Sequence, residues 1–385
     1  MATQFFVNGA VVGSVLPRLP EIRDRIDTDV ATLGLVFTLA SLGGLLGSAV
    51  CSPIIERIGS KRAMVGGGLA LTATLFLTAA ARSPLVLWIA LSLWLLFDVI
   101  ADVAMNMQGS AISARRSVPV MNRLHGLWSL GTVLGGGLAS FLASIDIDLQ
   151  VHLGAVAVGL IATMLFVAPG LLPEAAVRPN DIGNADGDTS TPRSSAKATL
   201  AIFALLGAMA MVMEQISSDW SALRLTDDLS QGAGIAALGF VAYTVGMTTG
   251  RFAGDSVLGF VGEHRMIRFG ASLNGIGLGV AFLINTVPTV LIGLLLAGLG
   301  NSVIFPMLYD QAAKAPGKAG AGLGAMVAGS RIGALIAPVS VGALAATETL
   351  SIGQAVAIVT MPCALVVIGV RAAQASRHQP ELSST

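Results

Sequence analysis

Two aspartates interrupt the apolar stretch LWLLFDVIADVAMN, residues 93 to 106, and their spacing is suited to chemistry. Asp98 and Asp102 are four positions apart, and Trp94 and Asn106 continue the same step in both directions. In a helix this step places all four side chains on one stripe. Two carboxylates so close together in an apolar medium do not both ionise easily, so we expect one of them to gain and lose a proton. A structural alternative is that Asp102 pairs with a basic loop residue or caps a neighbouring helix.

One cation, Arg331, falls near the middle of an apolar segment, within AMVAGSRIGALIAP. A charge at that position has to face the interior of a helix bundle or a water-filled cavity. Its planar guanidinium could hold an anionic group of a ligand, or it could pair with Asp98 or Glu214. The sequence also allows a purely structural ion pair, so several roles of Arg331 stay open.

Polar residues in three other apolar segments complete the candidate site. Glu214 lies towards one end of its segment, in MVMEQISSDW, and Asn8 occupies the matching place in the first half of the chain. Asn301 falls opposite Asp102 when the two halves are aligned. Since Asn301 is uncharged, this alignment predicts that the acid chemistry at this position belongs to one half. Asn301 itself either hydrogen-bonds a substrate or bridges two helices.

The composition defines the environment of these residues. The chain of 385 residues is 54% hydrophobic and 11% charged, with a mean hydropathy of +0.80, whereas soluble domains have about 25% charged residues. The 46 glycines are typical of helices that pack closely in lipid. The net charge is zero and there are two cysteines. We therefore expect no nucleic acid partner, no disulfide framework, no metal site and no cofactor.

Sliding windows of about 19 residues detect twelve apolar segments. They are residues 1–17, 31–53, 63–81, 85–106, 124–144, 151–171, 199–218, 233–253, 267–285, 288–308, 320–343 and 351–370. The first ends near Pro17, which is short against the roughly 20 residues that a span needs, so either the start is misplaced or the first helix is abbreviated. The sequence predicts an all-α polytopic membrane protein with twelve transmembrane helices.

The loops predict orientation and domains. With the N-terminus inside, sixteen Lys and Arg residues fall in cytoplasmic connections and five outside. This bias places both termini in the cytoplasm, and we expect a bacterial inner-membrane protein. The polar stretch between segments six and seven, rich in Pro, Gly, Ser, Thr and Asp, is typical of a flexible linker. The predicted domains are a six-helix bundle, a cytoplasmic linker, a second six-helix bundle and a cytoplasmic tail: 1–171, 172–198, 199–371 and 372–385.

The two six-helix halves resemble each other in sequence. Four residues of the first half recur about 203 positions later: Gly43, Gly47, Gly59 and Arg62 correspond to Gly246, Gly250, Gly262 and Arg265. The stretch SVLPRLPEI has a weaker counterpart in WSALRLTDD, which pairs Arg18 with Arg224. Several matches at a nearly constant offset indicate a duplicated unit.

The loop ERIGSKR between segments two and three resembles the signature loop of the major facilitator superfamily. The matching positions are Glu56, Arg57, Gly59, Lys61 and Arg62. A solvated loop that only sets orientation is the structural alternative. With two six-helix halves and a central linker, the resemblance covers essentially the whole chain. DVAMNMQGSAI and NRLHGLWSLGTVLGGG are similar to an uncharacterised bacterial branch near the fucose-permease-type symporters, which place an acid in the first helix where this chain has Asn8.

The resemblance implies transport of a small polar solute by alternating access, often coupled to protons. In such folds the substrate site lies between the halves near the midplane of the bilayer. Arg251 and Asp255, four apart at the predicted cytoplasmic end of segment eight, are expected to form a structural or gating pair. We expect a monomer in the lipid bilayer.

Two other classes of protein remain as alternatives. A membrane-embedded sensor would bind a solute without transporting it, and the sequence does not separate it from a transporter. An intramembrane enzyme is disfavoured because the chain has no HExxH, no GxSxG and no nucleophile with a plausible base. An ATP-driven pump is disfavoured because no P-loop occurs.

Overall fold

The computed structural model describes the backbone of most of the chain, namely residues 1–116, 121–171, 193–261, 263–313, 321–347 and 349–377. These residues are almost entirely helical, and no strand occurs among them. Most of the predicted linker, residues 172–192, and the end of the predicted tail lie outside the described residues.

The first six segments form helices that are joined by short connections. Their bounds are α1 (Ala2–Val15), α2 (Leu19–Arg25), α3 (Val30–Ile58), α4 (Ser60–Ala80), α5 (Pro84–Arg116), α6 (Met121–Ser144) and α7 (Leu149–Val167). Within this group α1 packs on α6, and both α3 and α4 pack on α5. The short helix α2 is the connection after the first segment.

The last six segments follow the same order. Their bounds are α8 (Arg193–Asp219), α9 (Ser221–Leu223), α10 (Ala233–Val261), α11 (Glu263–Leu283), α12 (Val287–Asn301), α13 (Ile304–Ala313), α14 (Ala321–Ala345) and α15 (Ile352–Arg377). Segment ten was predicted as one helix, but it is divided into α12 and α13 directly after Asn301. Eleven spans among the described residues are long and apolar enough to cross a membrane. With the shorter α1 they match the twelve predicted segments, which confirms the fold class.

Tight helix crossings are built on glycines at equivalent places of the two halves. A Cβ at Gly43 of α3 would overlap the carbonyl oxygen of Ser92 of α5, and a Cβ at Gly246 of α10 would overlap the carbonyl oxygen of Leu295 of α12. Both pairs are related by the offset of 203 positions. The duplication inferred from sequence is therefore also present in the packing.

The signature loop is a single-residue connection. Helix α3 ends at Ile58 and α4 begins at Ser60, and Gly59 between them has φ 86° and ψ 157°, a conformation that favours glycine. The Nζ of Lys61 donates to the carbonyl oxygens of Leu171 and Pro169 at 3.4 and 3.5 Å. The side chains of Glu56, Arg57 and Arg62 are exposed.

The chain divides into two compact units. The first comprises Met1–Gly183, Ser221–Val241 and Pro338–Thr349, and the second comprises Asn184–Trp220, Ala242–Ala337 and Leu350–Thr385. The connection after segment seven and the predicted outer ends of segments eight and eleven thus belong to the same unit as the first six segments. The predicted domain bounds are not tested by this division, and they remain a prediction.

Contacts within the first unit join these outer ends to the first six segments. Arg23 of α2 pairs with Asp227. The hydroxyl of Ser140 donates to the carbonyl oxygen of Gly234 at 2.7 Å. A Cβ at Gly34 of α3 would lie 2.6 Å from the carbonyl oxygen of Pro338 of α14. The predicted outer ends of the two halves are therefore packed together in this structure.

The paired residues Arg18 and Arg224, predicted to lie in outer loops, are both fully buried. Arg18 is 1% exposed and donates to Glu21 at 2.5 Å and to the carbonyl oxygen of Ile147 at 2.8 Å. Arg224 is 0% exposed and donates to Asp228 at 2.5 Å. Because each guanidinium has a carboxylate three or four positions further along the chain, its charge is compensated locally.

Asp148 begins α7, and its carboxylate makes two contacts that we expect to stabilise the fold. It accepts a hydrogen bond from the backbone N–H of Gln150 at 2.7 Å and pairs with Arg25 at 2.5 Å. The Gln150 N–H lowers the pKa of the Asp148 carboxyl below its ordinary value. This contribution is therefore present above the unfolded-state pKa and is lost as the pH falls through the lowered folded-state pKa.

Replacing Asp148 with Ala should lower the free energy of unfolding by about 1 kcal/mol at neutral pH, since a helix N-cap is removed. Asp148→Asn keeps a capping side chain and should cost less. Urea unfolding in detergent at neutral and at acidic pH measures both variants. If Asp148→Ala loses as much stability at low pH as at neutral pH, the carboxylate is not the stabilising group.

Candidate functional site

The candidate site of the first half is a hydrogen-bonded chain across three helices. The amide Nδ2 of Asn8 on α1 donates to Oδ1 of Asp98 on α5 at 2.9 Å, and the indole Nε1 of Trp128 on α6 donates to Oδ1 of Asn8 at 2.6 Å. An indole can only donate, so the Asn8 oxygen faces Trp128 and its NH2 faces Asp98. Asn8 is 5% exposed and Asp98 is partly buried.

These two hydrogen bonds fix the orientation of one carboxylate oxygen of Asp98. The oxygen that faces Asn8 is an acceptor whether or not the group carries a proton, because the amide NH2 always donates to it. The contact between Asp98 and α1 is therefore compatible with either charge state of the carboxyl group.

The stripe predicted on segment four is present, but its two aspartates have different partners. The amide of Asn106 donates to Oδ1 of Asp102 at 3.0 Å and to the Asp102 carbonyl oxygen at 2.9 Å. Asp102 is thus held in part by its own helix, whereas Asp98 contacts α1. Trp94 is 6% exposed and lies one turn from Asp98.

The candidate site of the second half joins α8, α10 and α12. The amide Nδ2 of Asn301 donates to Oε2 of Glu214 at 3.0 Å. Arg251 lies within electrostatic range of Glu214, and so does the hydroxyl of Tyr243. Asn301 and Tyr243 are 1% exposed. Glu214 therefore has both an amide donor and a cation.

The glycine crossings correct the sequence alignment of the two halves. Gly43 contacts Ser92 in the first half, and Gly246 contacts Leu295 in the second half. Both residues of the second contact lie 203 positions after those of the first, and the same offset relates Asn301 to Asp98 and not to Asp102. In each half the first and fourth segments are thus joined by one carboxylate and one amide. The acid lies on the fourth segment in the first half and on the first segment in the second half. At the position shared by Asp98 and Asn301 the acid is still found in one half, so that prediction stays a prediction.

The predicted match between Asn8 and Glu214 also needs correction. Helix α1 crosses α6 at Gly9, where a Cβ would overlap the carbonyl oxygen of Trp128. Helix α8 crosses α14 at Gly207, where a Cβ would overlap the carbonyl oxygen of Met326. Because both members of these pairs are 198 positions apart, the packing aligns Asn8 with Leu206. Helix α8 has 27 residues and α1 has 14. Glu214 therefore contacts Asn301 from a position eight residues beyond the one that corresponds to Asn8.

Two further predicted residues have different surroundings. The side chain of Asp255, the predicted partner of Arg251, lies outside the described residues. Arg331 is partly buried on α14, and in the described part of the chain it makes no ion pair and no hydrogen bond.

Sequence reasoning missed three residues of these clusters. Trp128 and Tyr243 are single aromatic residues in apolar helices, and only the packing shows that their polar atoms face the site. Asp219, the last residue of α8, is 8% exposed and accepts from the hydroxyl of Ser218 at 3.0 Å. A net of amide and indole donors has no fixed spacing in a sequence, so no signal could have revealed it.

Comparisons with known proteins agree with this architecture. A model of the Major Facilitator Superfamily matches residues 1–338. An uncharacterised MFS-type transporter of Yersinia pestis is 25% identical over 308 residues, 80% of this chain and 78% of that protein. The membrane protein MosC of Rhizobium meliloti is 27% identical over 315 residues, 81% of this chain and 74% of that protein. The crystal structure of the nucleoside transporter NupG has a TM-score of 0.73 at 13% identity and covers 98% of both chains.

The chain belongs to the major facilitator superfamily. It is an integral membrane protein and a transporter of a small molecule, and it is not an enzyme. The likeness to NupG shows the fold alone, because the identity of 13% is too low to carry a substrate from one protein to the other.

Proposed function

We propose that the protein is a secondary active transporter that moves a small polar solute by alternating access, coupled to protons. The observation that carries the proposal is the carboxylate–amide pair in each half, Asp98 with Asn8 and Glu214 with Asn301. Ionisable residues inside membrane segments are costly and typically serve transport. Each pair joins the first and fourth segments of its half, so a change of protonation acts on helices that have to move.

The two acids have different roles in this proposal. Glu214 accepts a hydrogen bond from the amide of Asn301, and we assign to it the role of holding the first and fourth segments of the second half together. Asp98 receives its described hydrogen bond from an uncharged amide. We assign proton binding to Asp98, and Asp102, one turn away, assists it.

The packed outer ends provide one of the two states that alternating access needs. Opening this side has to break the Arg23–Asp227 pair and the Ser140–Gly234 hydrogen bond and to separate Gly34 from Pro338. We propose that these contacts form and break in each cycle. The candidate substrate-binding residues beside the acids are Trp94 and Asn8 in the first half and Asn301 in the second.

The remaining assignments follow from the loops. Both termini are cytoplasmic, the protein is a monomer in the bacterial inner membrane, and residues 172–198 link the bundles 1–171 and 199–371. The signature loop at Gly59, with Arg251 and Asp255 in the second half, acts at the cytoplasmic end.

Solute counterflow separates a transporter from a membrane-embedded sensor. Proteoliposomes are loaded with an unlabelled solute that stabilises the purified protein, and the entry of labelled solute is followed. A transporter should produce a transient overshoot of label inside the vesicles. Binding in detergent with no counterflow in vesicles would identify a sensor and contradict the proposal.

A further inference from the structure

The arginines at buried or interface positions of this fold have a carboxylate in reach. The pairs are Arg18–Glu21, Arg23–Asp227, Arg25–Asp148, Arg224–Asp228 and Arg251–Glu214. A guanidinium removed from water needs such compensation, because an uncompensated charge in an apolar medium is strongly unfavourable. The local counter-ion is thus a general property of this protein.

Arg331 is the exception within the described ranges. It lies inside the span Gly324–Ala345, about 10 Å along the helix from Gly324 at 1.5 Å per residue. No carboxylate, hydroxyl or carbonyl oxygen of the described residues accepts from its guanidinium. Glu214, one of the partners predicted from sequence, is occupied by Asn301 and Arg251.

The helix periodicity shows which face of α14 carries Arg331. Gly329 and Gly333 cross α8 at the carbonyl oxygens of Ala204 and Ala208, and they lie about 200° around the helix from Arg331. Arg331 therefore points away from α8. Ile332 and Ile336, which are 55% and 56% exposed, mark a separate apolar face.

Arg331 shares its own face with Pro338 and Gly342, seven and eleven positions further on. At the predicted outer end these two residues meet Gly34 and the backbone of Val30 and Ala31 on α3. The face that carries Arg331 is thus the one that closes against the first half at the outer end. Deeper along the helix the same face carries a cation for which the described residues provide no counter-ion.

We propose that Arg331 binds an anionic group of the transported solute, a carboxylate or a phosphate. This inference rests on the proposed transport function and names its substrate class. A planar guanidinium donates two parallel hydrogen bonds to either group and neutralises its charge. The solute supplies the counter-ion that the protein does not, so the charge of Arg331 is compensated when the site is loaded.

Matched anionic and neutral probes test this site on the purified full-length protein. The probes are glucuronate with glucose, benzoate with benzamide, and glycerol phosphate with glycerol, each followed by thermal shift and titration. We expect at least one anion to raise the Tm and its neutral analogue to have no effect. Arg331→Ala should raise the Kd of that anion about 100-fold, since two charge-assisted hydrogen bonds are lost. Arg331→Lys should restore only part of the affinity.

Arg268→Ala is the matched control, because Arg268 is an exposed cation of the same half. It should leave the Kd of the anion unchanged. Size-exclusion profiles and the ligand-free Tm show whether each variant is folded. Equal binding of neutral analogues, unchanged anion binding in Arg331→Ala, or no stabilisation by any of these anions would overturn the inference.

A phospholipid phosphate could occupy the same guanidinium, and a second measurement distinguishes it from a solute. In nanodiscs of phosphatidylcholine alone, the Tm shift by the anionic solute should persist. A Tm that instead follows the phosphatidylglycerol content, with no shift by solute, would overturn the inference. Counterflow of a neutral solute that is unaffected by Arg331→Ala would also overturn it and leave transport intact. Anion binding without counterflow would instead contradict the proposed transport.

Discussion

Replacing Asp98 with Asn should abolish pH-driven accumulation of the solute in proteoliposomes while solute exchange continues. An asparagine has nearly the same shape and still offers an oxygen to the amide of Asn8, which now donates to Asp98 at 2.9 Å. The capacity to bind a proton is removed. We expect accumulation under an imposed pH gradient to fall to the level without a gradient, and counterflow to keep a substantial part of its rate.

Two further variants make this result specific. Asp146→Asn removes an exposed carboxylate at a position with φ 56°, which asparagine readily adopts, so accumulation should be unchanged. Glu214→Gln keeps the shape of the side chain beside Asn301, and accumulation should persist in this variant because Asp98 is retained. If Asp98→Asn accumulates solute as the unmodified protein does, Asp98 is a structural residue and the coupling proposal is wrong.

The second large effect concerns the packing of α1 on α6. A Cβ at Gly131 would overlap the carbonyl oxygen of Phe6, and a backbone atom cannot move aside as a flexible side chain can. Gly131→Ala should lower the free energy of unfolding by about 3 kcal/mol or more, and transport should be lost because Asn8 on α1 is displaced from Asp98. Fluorescence-detected size exclusion after heating measures the loss of stability.

Gly137→Ala on the same helix is the control, since nothing lies within 4 Å of a Cβ there. It should be neutral or slightly stabilising, because alanine favours a helix by up to about 1 kcal/mol over glycine. The second half offers the same comparison between Gly329, which meets the carbonyl oxygen of Ala204, and Gly324, which has open space. Equal Tm values for Gly131→Ala and Gly137→Ala would show that α1 does not pack on α6 in this way.

The fold could be predicted from the sequence because few backbone structures are stable inside a bilayer. Apolar segments of sufficient length have to become helices, and the repeated glycines near 43 and 246 revealed the duplication before the packing was known. The division of segment ten after Asn301 was not predicted, although Pro306, which cannot donate to the carbonyl oxygen of Ser302 four positions earlier, marks it in the sequence.

The candidate site could be predicted only as a set of residue types. The sequence identified four candidates because a polar residue in an apolar segment is energetically costly and usually has a role. They are Asp98, Glu214, Asn301 and Asn8. It could not identify their partners, because contacts between helices depend on rotation and register. One pair of glycine crossings was needed to relate Asn301 to Asp98.

The buried arginines show a similar limit. Arg18 and Arg224 follow apolar segments and were predicted to lie in outer loops, but both are fully buried beside a carboxylate. A sequence indicates that a charge is near the end of a segment. It does not show whether the chain turns back to cover that charge.

Proton movement with the solute is the most direct test of the central claim. Proteoliposomes that contain the unmodified protein and an internal pH dye are given an anionic solute that stabilises the protein, with the membrane potential clamped. We predict a change of internal pH that starts with solute entry, acidification for symport or alkalinisation for antiport, and that disappears in Asp98→Asn. Solute entry at an unchanged internal pH would contradict proton coupling.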